Sequence, residues 1–194
     1  MRVGVLALQG AFREHVNMVR GLGHDAVEVR LPAHLEGCSA LIMPGGESTA
    51  IGKLMDKYGF YEAIPAAHDA GMALWGTCAG AILLSSEILD AVPGQHPLGL
   101  IDVHVRRNAF GRQVDSFEAL LDIAGLEGEP FVGVFIRAPW IESVHEGVEV
   151  LAEVDGHTVA ARQGDVMVTS FHPELTDDPR LHEFFFDEVA GGPP

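Results

Sequence analysis

The order of apolar and polar positions predicts that strands alternate with helices through the first half of the chain. Residues 3–8 form a near-continuous apolar run, which is typical of a strand covered on both faces. Beyond Gly10, apolar residues recur at three- and four-residue spacing as far as Gly21 and Gly23, which predicts an amphipathic helix. The same reasoning predicts strands at 26–31, 40–43 and 72–75. It also predicts three helices: one with Ser48 as its N-cap, one that starts at Phe60 and one that starts at Ala79. Such alternation forms βαβ units, so the sequence predicts an α/β protein with a mostly parallel, doubly wound sheet.

The second half of the chain predicts further strands and one helix. Its apolar runs indicate strands at 98–105, 131–136, 148–154, 158–162 and 166–170, and we expect them to extend the same sheet in an antiparallel or mixed arrangement. A final helix is predicted with Asp178 as its cap and Pro179 as its first residue. Its buried stripe consists of Leu181, Phe184, Phe185 and Val189. Residues 1–190 are therefore predicted to form one domain, followed by a frayed tail at 191–194.

The amino-acid composition disfavours several classes of binding partner for this protein. The formal net charge of −16 over 194 residues disfavours nonspecific binding to nucleic acid or to an anionic membrane surface. The two cysteines make no disulfide framework, so a reducing cytoplasm is the expected location. No apolar run approaches the length that spans a bilayer, and the first run is too short for a secretory signal. We expect a cytoplasmic protein with no nucleic-acid partner and no membrane partner.

Cys78 is the strongest candidate for chemistry. It lies between a short apolar strand and a helix, in the sequence Gly76-Thr77-Cys78-Ala79-Gly80, where flanking glycines allow a sharp turn that exposes the side chain. The N-terminus of the following helix favours the thiolate, which is the nucleophilic form. A buried structural cysteine is the alternative, and the two glycines favour a nucleophile instead. Cys38 has no such flanks and is interpreted as structural.

A base and an orienting group are predicted in Ser170-Phe171-His172-Pro173-Glu174. Pro173 favours an extended conformation of His172, and residues two apart in an extended segment point to the same side. Glu174 is then placed to accept the second ring N–H of His172, which holds the tautomer that a base requires. Taken alone, this segment would suit a surface turn. The segment becomes a candidate for the base because a candidate nucleophile occurs earlier in the chain.

The loop Pro44-Gly45-Gly46-Glu47-Ser48 follows a predicted parallel strand. Ligands bind at the carboxyl edge of a doubly wound sheet, and glycines there allow backbone N–H groups to approach a ligand closely. The N–H of Gly46, together with the N–H of Ala79, would form an oxyanion hole. An ordinary strand-to-helix turn is the alternative interpretation.

Cofactor sites are not indicated by the sequence. The ten histidines are dispersed without H-E-x-x-H or C-x-x-C spacing, which disfavours a metal site. No G-x-G-x-x-G follows the first strand and no Walker loop occurs, so nucleotide binding has no support. We expect the protein to need no metal and no organic cofactor.

Taken in order, the three segments around Gly45, Cys78 and His172 resemble the motifs of class I, triad-type glutamine amidotransferases. Within that superfamily, five segments resemble the glutaminase subunit of pyridoxal phosphate synthase: Leu8-Gln9-Gly10-Ala11, Gly45-Gly46-Glu47-Ser48-Thr49, residues 107–118, Phe135-Ile136-Arg137-Ala138-Pro139 and residues 170–176. The run Arg107-Asn108-Ala109-Phe110-Gly111-Arg112-Gln113 is the most specific of them. The resemblance implies a flavodoxin-like three-layer sandwich, L-glutamine as the source of ammonia, and a separate synthase subunit that consumes the ammonia.

The resemblance also implies a role for each matching residue. Cys78 would be the nucleophile that forms a thioester with glutamine, His172 the base and Glu174 its partner. L-Glutamine would be held by Gly46, Glu47, Ser48, Arg107, Ile136 and Arg137. Gln9 and Gly10 would lie where the synthase subunit docks and orders the oxyanion loop. Arg106 is a departure from the resemblance, since we expect an acidic residue there in many relatives, but it is not a motif position.

Three alternatives remain open at this point. The chain could be the glutaminase subunit of another amidotransferase, such as imidazole glycerol phosphate synthase, although residues 107–118 argue against it. A stand-alone cysteine amidohydrolase would act without a partner and without a preference for glutamine. A catalytically silent regulatory module is disfavoured because Cys78, His172 and Glu174 are all present.

Overall fold

The structure, a computed structural model, describes residues 1–107 and 116–191; the motif residues 108–115 and the tail residues 192–194 lie outside the described residues. The strands are β1 (Arg2–Leu6), β2 (Asp25–Val29), β3 (Ala40–Met43), β4 (Ala73–Thr77), β5 (Ser85–Ile88), β6 (Ile101–Arg106), β7 (Ser116–Leu121), β8 (Phe131–Ile136), β9 (Trp140–Val144), β10 (Glu149–Val154), β11 (His157–Gln163) and β12 (Val166–Thr169). The helices are α1 (Phe12–Gly21), α2 (Ser48–Tyr58), α3 (Phe60–Asp69), α4 (Ala79–Leu84) and α5 (Arg180–Phe184), which a π-helical turn continues to Val189. Within the described ranges, no helix combines the length and the apolarity needed to cross a membrane.

The main sheet has a parallel half and a largely antiparallel half. Its strands lie in the order β2-β1-β3-β4-β12-β11-β9-β6-β5, and β10 pairs with β11. The first five of these strands are parallel, and their order is that of the flavodoxin-like doubly wound sheet. β11 pairs antiparallel with β12, β10 and β9, and β9 pairs antiparallel with β6. The predicted parallel sheet with an antiparallel extension is confirmed.

Each face of the sheet has its own apolar core. In β3, Ala40 and Ile42 join one core, whereas Leu41 and Met43 join the other, because successive side chains of a strand point to opposite faces. α1 and α5 pack on the first face, and α2, α3 and α4 pack on the second. Strands covered on both faces account for the continuous apolar runs in the sequence. The result is the three-layer α/β sandwich that the sequence predicts.

Phe131–Ile136 does not extend the main sheet, and that prediction is wrong. β8 pairs antiparallel with β7 in a separate two-stranded sheet. The buried face of this hairpin contributes Leu121, Phe131 and Phe135 to the first core, and Leu120 on the opposite face is 73% exposed. The alternating pattern of β8 indicates one buried face but does not specify what covers it. A strand of the main sheet and a hairpin that packs on the sheet therefore have the same pattern.

Three strands, β5, β7 and β9, have no counterpart in the sequence prediction. β5 and β9 each contain polar or charged residues at central positions, and β7 is exposed at alternate residues. Such segments become strands because a neighbouring strand supplies hydrogen bonds and side-chain contacts, which local sequence does not report. Local sequence likewise does not show which strand lies beside β12. We expected β12 in the antiparallel or mixed part of the sheet, but it pairs parallel with β4.

The cap of α2 differs from the prediction. Glu47, and not Ser48, is the N-cap residue, and Ser48 is the first residue of the helix. The carboxylate of Glu47 accepts hydrogen bonds from the N–H groups of Thr49 at 3.1 Å and Ala50 at 2.7 Å. A carboxylate satisfies two free N–H groups at once, and its charge complements the positive end of the helix.

α5 begins at Arg180, one residue later than predicted. Asp178 still acts as a capping side chain, because its Oδ1 accepts a hydrogen bond from the Arg180 N–H at 3.0 Å. The predicted buried stripe of this segment is confirmed, since all four of its members are buried: Leu181, Phe184, Phe185 and Val189.

Candidate active site

Cys78 stands at the carboxyl edge of the sheet, between β4 and α4. Its backbone angles are φ 48° and ψ −101°, a strained conformation for a residue with a Cβ atom. The turn depends on close backbone approach: a Cβ on Gly76 would lie 2.5 Å from the Gly80 carbonyl carbon, and a Cβ on Gly80 would overlap the Met43 carbonyl oxygen. The glycines on either side of Cys78 are therefore required by the turn itself.

The parallel pairing of β4 with β12 brings His172 to Cys78. Thr169 at the end of β12 lies opposite Thr77 at the end of β4, and the Cys78 N–H donates to the Thr169 carbonyl at 2.8 Å. A little further along the chain, the N–H of His172 donates to the Val134 carbonyl of the hairpin at 2.8 Å. These backbone bonds place the ring of His172 beside Cys78, since a Cβ on Gly45 would overlap the His172 ring and would lie 3.2 Å from Cβ of Cys78.

Glu174 contacts the other side of the His172 ring. Its Oε1 lies 2.7 Å from Nδ1 of His172, and its side chain is fully buried. The segment is not extended as we expected, because Pro173–Leu175 forms a 3₁₀ turn, and this turn brings the carboxylate back to the ring. Since Nδ1 faces a carboxylate, it carries the proton, which leaves Nε2 for the sulfur of Cys78.

The surroundings of His172 and Glu174 favour the charged form of both side chains. Burial opposes the charge on His172, but hydrogen bonds and opposite charges from Cys78 and Glu174 outweigh it and raise the pKa of His172 to about 10. Burial also opposes the charge on Glu174, yet His15 and His172 keep the pKa of Glu174 well below its ordinary value. At neutral pH the ring of His172 is therefore protonated and the carboxylate of Glu174 is ionised.

Neighbouring groups hold the Gly45–Gly46 peptide. The Gly45 carbonyl accepts a hydrogen bond from the Ala11 N–H at 3.0 Å, and the Gly45 N–H donates to Thr77 Oγ1 at 3.1 Å. In a trans peptide the N–H points opposite to the C=O, so the Gly46 N–H faces away from Ala11. A Cβ on Gly45 would overlap the ring of His172, so glycine is required beside the candidate base.

Gln9 and Gly10 lie against this glycine loop. Oε1 of Gln9 accepts a hydrogen bond from the Glu47 N–H at 2.8 Å. Gly10 has φ 97°, and a Cβ there would overlap the Gly45 carbonyl oxygen. The loops after β1 and β3 therefore meet at the point where the strand order reverses, which is where ligands bind in doubly wound sheets.

All six predicted glutamine-binding residues line one cavity together with Cys78. The lining residues are Gly46, Glu47, Ser48, Cys78, Ile82, Arg107, Ile136, Arg137 and Pro139. Ile82 and Pro139 were not candidates, because an apolar residue in a helix or before a strand carries no signal of its own. Arg137 has φ 43°, a strained value for a residue with a side chain. Ala79, the predicted second oxyanion donor, follows Cys78 directly as the first residue of α4 and is not among the lining residues.

Gln95 links two sides of this cavity and was missed by sequence reasoning. Its Nε2 donates to Ser48 Oγ at 2.9 Å, and its Oε1 accepts from Arg107 Nη1 at 2.9 Å. Arg107 also approaches Glu47, with Nη2 3.9 Å from Oε1. Gln95 lies in a loop between β5 and β6, and no motif or periodic pattern marks it.

Arg106 and Cys38 take no part in the cavity lining. Nε of Arg106 donates to Glu142 Oε2 of the neighbouring strand at 2.9 Å, which accounts for a basic residue at this position. Cys38 is partly buried, and burial raises the pKa of its thiol, so it is less reactive than an ordinary cysteine. Among the described residues, no group of three or more His, Cys, Asp or Glu is arranged to hold a metal ion.

Two further histidines lie beyond Glu174 and were missed as candidates. His15 on α1 and His182 on α5 are fully buried, with His182 Nε2 3.0 Å from His15 Nδ1. Nε2 of His15 is 3.2 Å from Glu174 Oε2 and 3.3 Å from Thr77 Oγ1. A signal existed, because both histidines fall on the apolar stripe of their helix, where a polar residue needs a partner.

The sheet order and the Cys, His and Glu at its carboxyl edge are those of triad-type glutamine amidotransferases. The chain belongs to the SNO glutamine amidotransferase family, which it matches over residues 5–191. It is 57% identical to the pyridoxal 5′-phosphate synthase subunit PdxT of Herpetosiphon aurantiacus, over 95% of this chain and 98% of that one. It is 54% identical to the PdxT subunit of Dehalococcoides mccartyi, over 95% of both chains. A crystal structure described as a glutamine amidotransferase is 55% identical, with a TM-score of 0.91 over 97% of this chain and 98% of that one.

Proposed function

We propose that this chain is a glutaminase that hydrolyses L-glutamine to L-glutamate and ammonia, as the glutaminase subunit of a pyridoxal 5′-phosphate synthase. Membership of the SNO family supports the reaction. Relatives named as PdxT subunits, with 54% and 57% identity over nearly the whole chain, support the assembly. The observation that carries the proposal is the position of His172, whose ring lies beside Cys78 of the cavity lining and whose Nδ1 is 2.7 Å from Oε1 of Glu174.

The first half of the reaction forms a thioester. The Cys78 thiolate attacks the side-chain amide carbon of glutamine, and the carbonyl oxygen becomes an oxyanion. The N–H groups of Gly46 and Ala79 donate hydrogen bonds to that oxyanion. His172 then gives its Nε2 proton to the leaving nitrogen, which departs as ammonia and leaves a γ-glutamyl thioester on Cys78.

The second half regenerates the enzyme. Water loses a proton to Nε2 of His172 and attacks the thioester carbon, and the oxyanion forms again in the same site. Collapse releases glutamate and restores the Cys78 thiolate beside the protonated His172. Glu174 remains ionised throughout and keeps the ring in the orientation that both proton transfers need. The residues present supply every step without a metal or an organic cofactor.

The cavity residues hold the amino-acid end of glutamine. Arg107 and Arg137 provide positive charge for the substrate carboxylate, and Glu47 provides negative charge for its ammonium group. Ser48 offers a hydroxyl, and Gly46 and Ile136 complete the wall. Glu47 already caps α2 through both carboxylate oxygens, so its position is fixed before substrate arrives. Such a fixed pocket reduces the ordering that binding requires.

The proposal places the chain in a hetero-oligomer in the cytoplasm, with no nucleic-acid and no membrane partner. The synthase subunit docks where Gln9 and Gly10 meet the glycine loop and receives the ammonia. Residues 1–190 act as a single amidotransferase domain.

Glutamine hydrolysis measured with and without purified synthase subunit tests the proposal. We expect glutamate and ammonia in equal amounts, faster turnover with the synthase subunit, and ammonia incorporated into pyridoxal 5′-phosphate. Full activity without a partner and on other amides would indicate a stand-alone amidohydrolase. Activation by an imidazole glycerol phosphate synthase partner, and not by a pyridoxal phosphate synthase partner, would indicate the other assembly. No hydrolysis in any combination would refute the proposal.

A further inference from the structure

Glu174 needs a second partner. Its side chain is fully buried, and Oε1 is taken by His172. Within the described part of the chain, Oε2 has no regular hydrogen bond, although His15 Nε2 approaches it to 3.2 Å. A buried carboxylate oxygen without a donor is strongly unfavourable. Contacts in active sites are commonly misaligned before substrate binds and tighten in the reacting complex.

The position of the His15 proton follows from its neighbours. Nε2 is hydrogen-bonded to Thr77 Oγ1 at 3.3 Å and lies 3.2 Å from Glu174 Oε2, and a ring nitrogen this close to an anion carries a proton. A small rotation of the ring would turn this N–H from Thr77 toward Glu174. In the neutral ring Nδ1 is then an acceptor, and it faces Nε2 of His182 at 3.0 Å, which must donate.

His182 is consistent with this arrangement. Its Nδ1 is buried and, among the described residues, has no hydrogen-bond partner. An unprotonated nitrogen tolerates such a place better than a buried N–H or a buried charge. Burial lowers the pKa of His182 well below its ordinary value, so His182 stays neutral. The N–H groups therefore point in one direction: that of His182 toward His15, and that of His15 toward Glu174.

We propose that His15 is a positioning residue for the triad: its Nε2–H holds Oε2 of Glu174, so that the carboxylate keeps the orientation in which Oε1 aligns His172 with Cys78. His182 in turn holds the ring of His15. The proposal rests on the proposed function, because it gives His15 a part in the same reaction. His15 is not among the residues that line the cavity, and in this proposal it acts through Glu174.

A packing role is the competing explanation. The ring of His15 also contacts Trp75, with the centroids 5.8 Å apart in an edge arrangement. A packing role depends on shape, whereas a positioning role depends on a donor at the place of Nε2. Glutamine and asparagine separate the two roles. The amide nitrogen of His15→Gln reaches the place of Nε2, whereas that of His15→Asn reaches only the place of Nδ1.

Kinetics of the complex with the synthase subunit provide the first measurement. We expect His15→Gln to keep kcat within about threefold of the unmodified protein. His15→Asn and His15→Leu should lose about ten- to a hundredfold in kcat, with KM changed by less than about twofold. Added to Glu174→Gln, the His15→Asn change should cause no further loss, because its effect passes through the carboxylate.

The pH dependence of Cys78 alkylation by iodoacetamide provides a readout that packing would not move. The groups that face His15 are Glu174 after β12, Thr77 on β4 and His182 on α5. A Glu174 carboxylate that is held less firmly stabilises the protonated ring of His172 less. The pH range over which Cys78 reacts with iodoacetamide should therefore narrow in His15→Asn and not in His15→Gln.

The variants and the alkylation profiles distinguish a positioning role of His15 from a packing role. Equal activity in the Gln and Asn variants, or equal loss with an unchanged alkylation profile, would overturn the positioning role. An additive loss in the double variant with Glu174→Gln would also overturn it. If His15→Leu does not fold, the Gln and Asn pair still carries the test. Failure of the proposed function would be seen separately, as no glutamine hydrolysis by the unmodified complex, and the alkylation profiles would still test His15.

Discussion

Each residue of the candidate triad is positioned by neighbouring groups of the fold. The strained turn holds Cys78, a backbone hydrogen bond to the hairpin holds His172, and His172 and His15 hold Glu174. At the scale of single residues, substitutions therefore divide into those that remove a reacting atom and those that loosen its support. The first kind should abolish turnover, and the second kind should reduce it.

We expect Cys78→Ala and Cys78→Ser to abolish glutamine hydrolysis while the fold is kept. Loss of a nucleophile commonly lowers the rate by about 10⁴-fold or more. Cys38→Ala is the matched control and should be nearly silent, because Cys38 lies outside the cavity. Steady-state ammonia release, with circular dichroism to confirm folding, measures both. Substantial turnover in folded Cys78→Ala, or loss of activity in Cys38→Ala, would contradict the assignment.

His172→Asn should lose nearly as much activity as the Cys78 variants, whereas Glu174→Gln should lose less. His172 carries every proton transfer, and Glu174 orients a ring that still works imperfectly without it. The measurements are glutamine turnover and the rate at which a glutamine-site affinity label reacts with Cys78. An undiminished labelling rate in His172→Asn would show that the thiolate does not depend on this histidine.

At the scale of secondary structure, the sequence predicts those helices and strands whose own apolar pattern shows which of their faces are buried. β1, β3, β4 and α1 carry continuous or helically spaced apolar residues, and they lie where the sequence predicts. β5, β7 and β9, and the placement of β8 in a hairpin, depend on which strand lies alongside, and local patterns do not report this. The site divides in the same way. Cys78 and His172 carry motif signals, whereas Gln95 and His15 join the site through contacts between distant segments.

The elbow between β4 and α4 gives a prediction at this scale. Gly80→Ala should lower the free energy of unfolding by about 2–3 kcal/mol, because the new methyl group would overlap the Met43 carbonyl oxygen on β3. Gly21→Ala at the end of α1 is the control. A Cβ there meets nothing within 4 Å, so stability should change by less than about 1 kcal/mol. Urea unfolding measures both, and equal stability of the two variants would refute the steric account of the elbow.

At the scale of the whole molecule, hydrogen bonds join the proposed docking loop, residues 9–11, to the glycine loop that carries the proposed oxyanion donor Gly46. Ala11 holds the Gly45 carbonyl, Gln9 holds the Glu47 N–H, and α1 begins directly after them. In this orientation the Gly46 N–H faces away from Ala11, which suits an oxyanion donor. One hydrogen bond contributes only about 0.5–1.5 kcal/mol net, so the isolated chain holds this orientation weakly. A flipped peptide would present a carbonyl to a developing negative charge.

We therefore expect the isolated chain to be a poor glutaminase that its synthase partner activates. Docking against Gln9 and Gly10 would stabilise the productive peptide, and a population shift of about 3 kcal/mol gives roughly a hundredfold change in rate. Steady-state glutamine hydrolysis, alone and with saturating synthase subunit, measures the activation. Gln9→Ala should lose most of it, because the Glu47 N–H loses its acceptor.

Gln163→Ala is the matched control for this prediction. Gln163 accepts a hydrogen bond from the Asp102 N–H at 2.8 Å in the antiparallel half of the sheet, away from the docking loop, so its loss should leave activation unchanged. Binding of the synthase subunit is measured separately, so that a failure to dock is not mistaken for a failure to activate. Equal rates with and without the partner would refute the switch and leave the triad standing. Activation that survives Gln9→Ala would keep the switch but locate its contact on another part of the loop, where Ala11 and Gly10 already touch the Gly45 carbonyl.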